Sequence, residues 1–551
     1  MTAFPGFECP RIRLVAWLAA PLFAVSAPLA WSMDVATRGA PMSTPATEML
    51  AAVEPAAPAG SVAPAASAEV EQIRAALASG EFDRALSEAT RMIAAQPRNP
   101  DGYALQGAAY MGKHDYAVAR RSLDKALAIQ ADLVPALVAS AQLDTMQGDV
   151  ASARKRLDTV LAKDPGNEGA MLGMAQVEAV QHHDKEGLAW LEKAKAAHPD
   201  ASAPRIYLGA YYVRTRNYER AIAELGDALK IHPDNPQTLE LLGQAQFAGG
   251  RKADAQATFE KLAAIAPQSA EAQFWLGNAR VATQNAAGAR ESYNKALQLK
   301  PDYADAAFAL AGLDVREGRT EDAMRLARDL QAKAPDSPAG LTLEGDVLMA
   351  QHRARDAVAS YEKAFARRES ALLAIKLHAA RAGAGDSDAD AKLERWLESH
   401  PTETGAWHYL AEQNMKAGHD KRAIVFYERV VKQDPQNVAA LNNLALLYQK
   451  QKDTRSVAMA EQAYRLMPDS PAITDTLGWI LVQNGNAARG TELLQRAVAA
   501  SPDNASLRYH LAVALARSGD KANARKELDT VLAGNRAFAE RDAARRLRDE
   551  L

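Results

Sequence analysis

Prolines return in this chain at a fixed interval. Pro165, Pro199, Pro233, Pro267, Pro301 and Pro335 stand 34 residues apart, Pro97 lies on the same frame, and Pro401 with Pro435 and Pro468 with Pro502 repeat the step. The frame slips by two residues between Pro335 and Pro401 and by one between Pro435 and Pro468. A period of this length is one supersecondary unit written repeatedly, and a unit so short cannot bury its own apolar face. Stacking of neighbours is therefore the only way such a chain builds a core.

With each of these prolines at position 32, other positions fall into line. Position 8 is Gly or Ala in twelve of fourteen units, including Gly107, Gly209, Gly243, Gly277, Gly345, Ala411 and Gly478. Position 20 is Ala in eleven, position 15 is Gly in seven, and position 24 is mostly large and apolar, as at Leu123, Leu225, Phe259, Tyr293, Tyr361 and Tyr427. Small residues at positions 8 and 20 suit two helices whose backbones approach closely. Gly between them can take the left-handed conformation that ends a helix, and proline cannot continue the second helix. The Ala-rich, aromatic-poor composition (48% hydrophobic, 6% aromatic) is that of helices.

This small, large and proline signature at 34 residues resembles the tetratricopeptide repeat, a helix–turn–helix unit. The resemblance implies an all-α fold, a right-handed superhelical α-solenoid. Fourteen units run from residue 66 to residue 537. The Gly-rich stretch Arg381–Trp396, "RAGAGDSDADAKLERW", coincides with the two-residue slip. It is expected to join an N-terminal subarray, residues 66–380, to a C-terminal one, residues 381–537. The last segment, residues 538–551, carries Phe538, Ala544 and Leu547 among dense charge and reads as a capping helix.

The rest of the chain offers little chemistry. Formal net charge is −3, from 65 basic and 68 acidic residues, which leaves no electrostatic footprint for nucleic acid. The single cysteine, Cys9, can support neither a disulfide nor a thiolate metal site further on. No phosphate loop, nucleophile elbow or zinc-protease helix is present. "HHDKE" at His182–Glu186 falls in a turn, and "DSDAD" at Asp386–Asp390 has neither the Gly nor the Glu of a calcium loop. The chain is expected to be no enzyme, to have no catalytic residue, and to bind no metal and no cofactor.

In the family it resembles, the first helix of each unit lines a concave groove and exposes roughly positions 2, 5, 9 and 12. The resemblance implies that Glu240, Gln244 and Phe247, then Phe274 and Asn278, then Phe308 face such a groove. Phe274 and Phe308 occupy equivalent places, and with Phe247 they would make an aromatic ladder flanked by amides and carboxylates. Such a surface suits an extended peptide or the apolar faces of a polysaccharide. His408, Glu412, Trp479 and Tyr509 fall at comparable positions further along. No unit pairs Lys at position 5 with Asn at position 9, which argues against the clamp that grips chaperone tails. The final block, with "LGWILVQNG" and "RYHLAVALARSGD", resembles the ends of bacterial tetratricopeptide proteins that accompany exosortase and exopolysaccharide systems. That likeness implies a scaffold with protein partners, and with polysaccharide as a further ligand, in polymer assembly or export. The other reading is a periplasmic adaptor or chaperone for assembly of outer-membrane or cofactor-maturation complexes.

Arg11 and Arg13 precede "LVAWLAAPLFAVSAPLAWSM", and no charge follows until Asp34. Residues 1–32 thus read as a signal peptide or an uncleaved N-terminal membrane anchor, and both place the repeats in the periplasm. Residues 33–65, rich in Ala and Pro, read as a flexible linker. The mature N-terminal peptide, identified by mass spectrometry, should begin near Met33 or belong to membrane-bound protein. Residues 1–13 on soluble protein would remove the export expectation.

Overall fold

The computed structural model describes residues 64–551 apart from residues 79 and 535–537. Residues 1–32, expected to be a signal peptide or membrane anchor, and residues 33–63 of the expected linker lie outside the described residues. Twenty-nine α-helices and no strand occur among the described residues. They form fourteen consecutive helix pairs, from Pro64–Ala78 with Phe82–Ala95 to Ala505–Arg517 with Lys521–Ala533, and a final helix, Arg541–Glu550. The α-solenoid expected from the period is what the chain forms. Contacts divide it into two compact units, one ending at Arg319 and one beginning at Thr320. The Gly-rich stretch lies within the second, where the chain continues as the pair Ala371–Gly383 and Ala389–Ser399.

Within each repeat the two helices, A and B, meet where the sequence has its small residues. A Cβ built on Gly107 would lie 2.7 Å from Leu123, and one on Gly478 would lie 2.9 Å from Leu494. At Gly243, Gly277 and Gly345 it would overlap the rings of Phe259, Tyr293 and Tyr361, all buried. Position 8 is small because position 24 fills its space. Ala119, Ala153, Ala221, Ala289 and Ala357, all at position 20, are wholly buried on the facing helix.

The turn between A and B has one geometry throughout. Among the described residues positive φ occurs fourteen times, once per repeat, at eight glycines and at His114, His182, Arg216, Gln284, His352 and Lys452. The next residue's N–H then bonds a carbonyl five residues back, as Asp149 to Asp144 and His183 to Glu178, both at 2.9 Å. This closes the end of helix A and satisfies carbonyls that would otherwise be orphaned. Many starts are capped as well: Asp149 accepts from Ser152 N–H, Asn167 from Ala170 N–H and Asn235 from Thr238 N–H.

A polar ladder ties successive repeats together. In the first unit Arg120, Arg154 and Arg290, all on B helices, reach an acid 24 residues on, in the next A helix. The pairs are Arg120–Asp144 at 2.5 Å, Arg154–Glu178 at 2.7 Å and Arg290–Asp314 at 2.6 Å. Each arginine also holds the side chain 27 residues on, Gln147, Gln181 or Glu317. The acids are buried, with side chains 5%, 8% and 2% exposed. A buried carboxylate needs such partners. In the second unit Asn414 donates to Asp390 across the same interval at 2.8 Å, and His378 Nε2 donates to Asp390 at 2.8 Å. The "DSDAD" turn is thus structural: Asp386 binds Lys392, and Asp390 binds His378, Asn414 and Arg422.

Two substitutions in one repeat test this account with opposite signs. Gly277→Ala should lower stability by about 1–3 kcal/mol through overlap with Tyr293. Gln284→Gly, by relieving a left-handed non-glycine residue, should raise it by up to about 1 kcal/mol. Urea denaturation followed by circular dichroism, with hydrogen exchange localising the change to residues 270–299, measures both.

Candidate functional site

The expected groove residues sit on three consecutive A helices of the first unit: Pro236–Ala248, Ala270–Ala282 and Ala304–Arg316. The structure treats them unequally. Glu240, Gln244, Phe247 and Phe308 are half-buried, while Phe274 and Asn278 are 3% and 6% exposed. Phe247 packs on the core formed by Leu239, Phe259, Leu276 and their neighbours. Asn278 accepts a hydrogen bond from the Tyr293 hydroxyl at 2.8 Å, so its amide is engaged within the repeat.

No aromatic ladder forms, because Phe274 is covered. Its ring centroid lies 5.4 Å from Tyr303, 5.6 Å from Trp275 and 6.2 Å from Tyr293. Among the described residues no ring contact joins Phe274 to Phe308 or to Phe247. The cover comes from Tyr303, the residue before helix Ala304–Arg316, and Lys300 lies over the Tyr303 ring at 4.9 Å. Groove positions read from helices alone miss a ring supplied by the connecting loop. The signal available in sequence was the aromatic residue two places after Pro301 in "KPDYADA".

What the three helices present instead is negative. Gln244 Nε2 donates to Glu240 Oε1 at 3.0 Å, and the Trp275 indole also donates to Glu240. Burial raises the Glu240 pKa above the usual carboxylate range and Glu271 adds repulsion, while the two neutral donors oppose the rise. Burial raises the Asp305 pKa as well, with Lys300 opposing it. Glu271 is paired with Lys300 at 3.3 Å. Half-buried carboxylates held by neutral donors favour an incoming cation, which restores the charge compensation that burial removed.

The second unit repeats this arrangement once. Glu240 and Trp275 are 35 residues apart, and so are Asp475 and His510. His510 Nδ1 lies 2.9 Å from both Asp475 oxygens, and its ring stacks on Trp479 at 4.3 Å with 19° between planes. Tyr509 is beside it, tilted at 6.0 Å. Burial disfavours the imidazolium, but the Asp475 carboxylate, with Glu540 further away, prevails and lifts the His510 pKa above its ordinary value. Nearer the start of that unit, His408 pairs with Glu412 at 3.4 Å and packs edge-on against Tyr427. The "HHDKE" turn has a partner of its own: His183 Nδ1 lies 3.0 Å from Glu178, the acid of the Arg154 pair.

Comparison with known proteins follows this geometry. Models described as tetratricopeptide repeat match residues 70–133, 144–207, 212–275, 280–346, 426–456 and 481–547, more than half of the chain. The TPR repeat-containing protein PA4667 of Pseudomonas aeruginosa is 29% identical over 171 residues, which are 29% of this chain and 28% of that protein. The match therefore spans less than a third of the curated relative. Among solved structures, the APC/C hetero-tetramer Cut9–Hcn1 is similar with a TM-score of 0.39 and 13% identity, over 87% of this chain and 96% of that one. Yeast Tom70 has a TM-score of 0.38 and 14% identity over 83% and 96%. MamA of Desulfovibrio magneticus has a TM-score of 0.29 and 19% identity over 30% and 93%.

A raised histidine pKa gives a signed pH dependence. The ion pair stabilises the last two repeats fully below the unfolded-state value of about 6.5. That contribution is lost as the pH climbs through the higher folded-state value. Local opening of residues 471–533, followed by hydrogen exchange, should become easier across that interval. In Asp475→Asn the same interval should show no such change, and an unaltered pH profile in that variant would refute the pairing.

Proposed function

The chain belongs to the tetratricopeptide-repeat family, and on that premise we propose that it is a non-enzymatic scaffold that holds extended, basic protein segments along repeats 6 to 8, whose A helices are Pro236–Ala248, Ala270–Ala282 and Ala304–Arg316. Solenoids of this family commonly bind protein partners, and generally do so without chemistry of their own. The observation that carries the choice of partner is the pair of half-buried carboxylates, Glu240 and Asp305, whose charge burial disfavours. A lysine or arginine side chain laid against either regains that energy, while the apolar shoulders at Phe247 and Phe308 receive the stems of such side chains.

The scaffold works, in our reading, in the bacterial cell envelope, in assembly or export of an exopolysaccharide. Support comes from the charge-free stretch after Arg13 and from the final block, whose "LGWILVQNG" and "RYHLAVALARSGD" resemble exopolysaccharide-associated proteins. Polysaccharide itself is a second ligand for the same groove. Periplasm is the compartment this reading requires.

A crosslinked pull-down from the native host, with the tag at the C-terminus, tests both levels. Glycosyltransferases, polymerases or export-channel proteins should be recovered, and Glu240→Gln with Asp305→Asn should reduce their recovery about tenfold. Binding of a basic peptide should also weaken as the pH falls through the raised Glu240 value. Barrel-assembly or maturation factors without polymer machinery would shift the role to a periplasmic adaptor. Purely cytoplasmic partners would remove the envelope from the reading.

A further inference from the structure

The connection from repeat 7 into repeat 8 departs from its neighbours at two places. The residue before the unit-ending proline is Asp164, His198, His232, Ala266 and Ala334 in the other units from 3 to 8, and Lys300 in this one. The residue before helix A is Asn167, Asn235 and Ser269 in repeats 4, 6 and 7, and each accepts a hydrogen bond from a helix N–H. Tyr303 stands in that place in repeat 8 and makes no side-chain cap. Giving up an N-cap costs helix stability, and a local rule broken at such a cost marks a residue with another task.

Both residues meet the carboxylates of the groove. Lys300 Nζ lies 3.3 Å from Glu271 Oε1 and 4.9 Å from the centre of the Tyr303 ring. Burial acts against the Glu271 charge, but its own backbone N–H, Lys300 and Ser269 outweigh burial and hold its pKa below the ordinary value. At Asp305 burial prevails, with Lys300 as the opposing charge. The Tyr303 hydroxyl feels all three acids: burial raises its pKa, and Asp305, Glu271 and Glu240 raise it further. Among the described residues Lys300 is the one cation paired with any of these carboxylates. The pair is loose, because the Lys300 and Glu271 side chains are 49% and 50% exposed. An exposed pair contributes little to stability, so another cation can take its place.

We propose that Lys300 is an internal competitor: its ammonium occupies the cation place of the groove, against Glu271 and the Tyr303 ring, until a lysine of a bound segment displaces it. This rests on reading repeats 6 to 8 as a groove for basic segments. The resident group also names the ligand chemistry, an ammonium that meets a carboxylate oxygen and a ring face together. Displacement exchanges one such contact for another and returns Lys300 to water. Because Lys300 is tethered, its effective concentration at this place is high. A lone basic residue therefore does not dislodge it. A segment must engage Glu240 or Asp305 with further cations, so the competitor selects segments that carry several lysines.

Fluorescence anisotropy of a labelled octalysine peptide on the purified full chain, at physiological ionic strength, is the test. Lys300→Met keeps the apolar stem and removes the charge, and should tighten binding about three- to tenfold. Lys300→Arg keeps the competitor and should stay within about twofold of the native chain. Lys295→Met removes an equal charge from the same B helix outside these contacts, and screening should hold its effect within about twofold. In a Glu271→Gln background the gain from Lys300→Met should fall below about twofold, since the contact that gives Lys300 its hold is gone. Unchanged affinity in Lys300→Met would overturn the competitor and leave the basic-segment reading standing. So would an equal gain in Lys295→Met or Lys300→Arg, or a gain that survives in Glu271→Gln. Absence of octalysine binding to every form, Lys300→Met included, would overturn both.

Discussion

The close approach of helix A to helix B at position 8 is the constraint on which the solenoid depends. Where Gly243, Gly277 or Gly345 lies against a buried ring, there is no room for even a Cβ. That contact sets the separation of the two helices, and the wholly buried alanines at position 20 set it from the other side. Because most repeats use the same device, the helix pairs within each unit stack in one register, and each pair offers its neighbour the apolar face it cannot bury alone.

Register has a second guard in the turn. Every repeat passes through one residue of positive φ before helix B begins, whether that residue is Gly or is Gln284 or His182. The strain tolerated at six non-glycine residues shows that tertiary packing, not local preference, decides the turn. The arginine ladder then acts between repeats. Its carboxylates are buried, so a slipped register would leave charge without a partner, which is far more costly than losing a surface pair. Apolar contact builds the stack, and the ladder specifies which residue meets which.

The candidate site shows how a groove acquires character on this frame. The helices that form it are alike in geometry, yet repeats 3 and 4 carry the uncharged Pro135, Val138, Gly169 and Leu172 where repeats 6 to 8 carry Glu240, Glu271 and Asp305. Burial then acts on those residues differently, desolvating the carboxylates of Glu240 and Asp305 in one stretch and removing the apolar Val138 and Leu172 from water in the other. Asp475 and His510 reproduce the placing of Glu240 and Trp275 with an ionisable ring, so the same slot becomes sensitive to pH.

The period and its small, large and proline positions were enough to determine the helix pairs, their number and their small-to-large contacts. These depend on spacing along one chain, and local chain geometry converts spacing into facing with little freedom. The groove was legible only in outline. Phe274 falls on a groove position but is buried under Tyr303, because the loop before the next helix folds back over it. The 24-residue interval of Arg154 and Glu178 is visible in the sequence once the repeat is aligned. Its meaning is not, since a charged pair at that spacing is equally compatible with two solvated side chains. Tertiary structure alone decided which polar groups lost water. That depends on which neighbours crowd each side chain in three dimensions, and no interval along the chain records it.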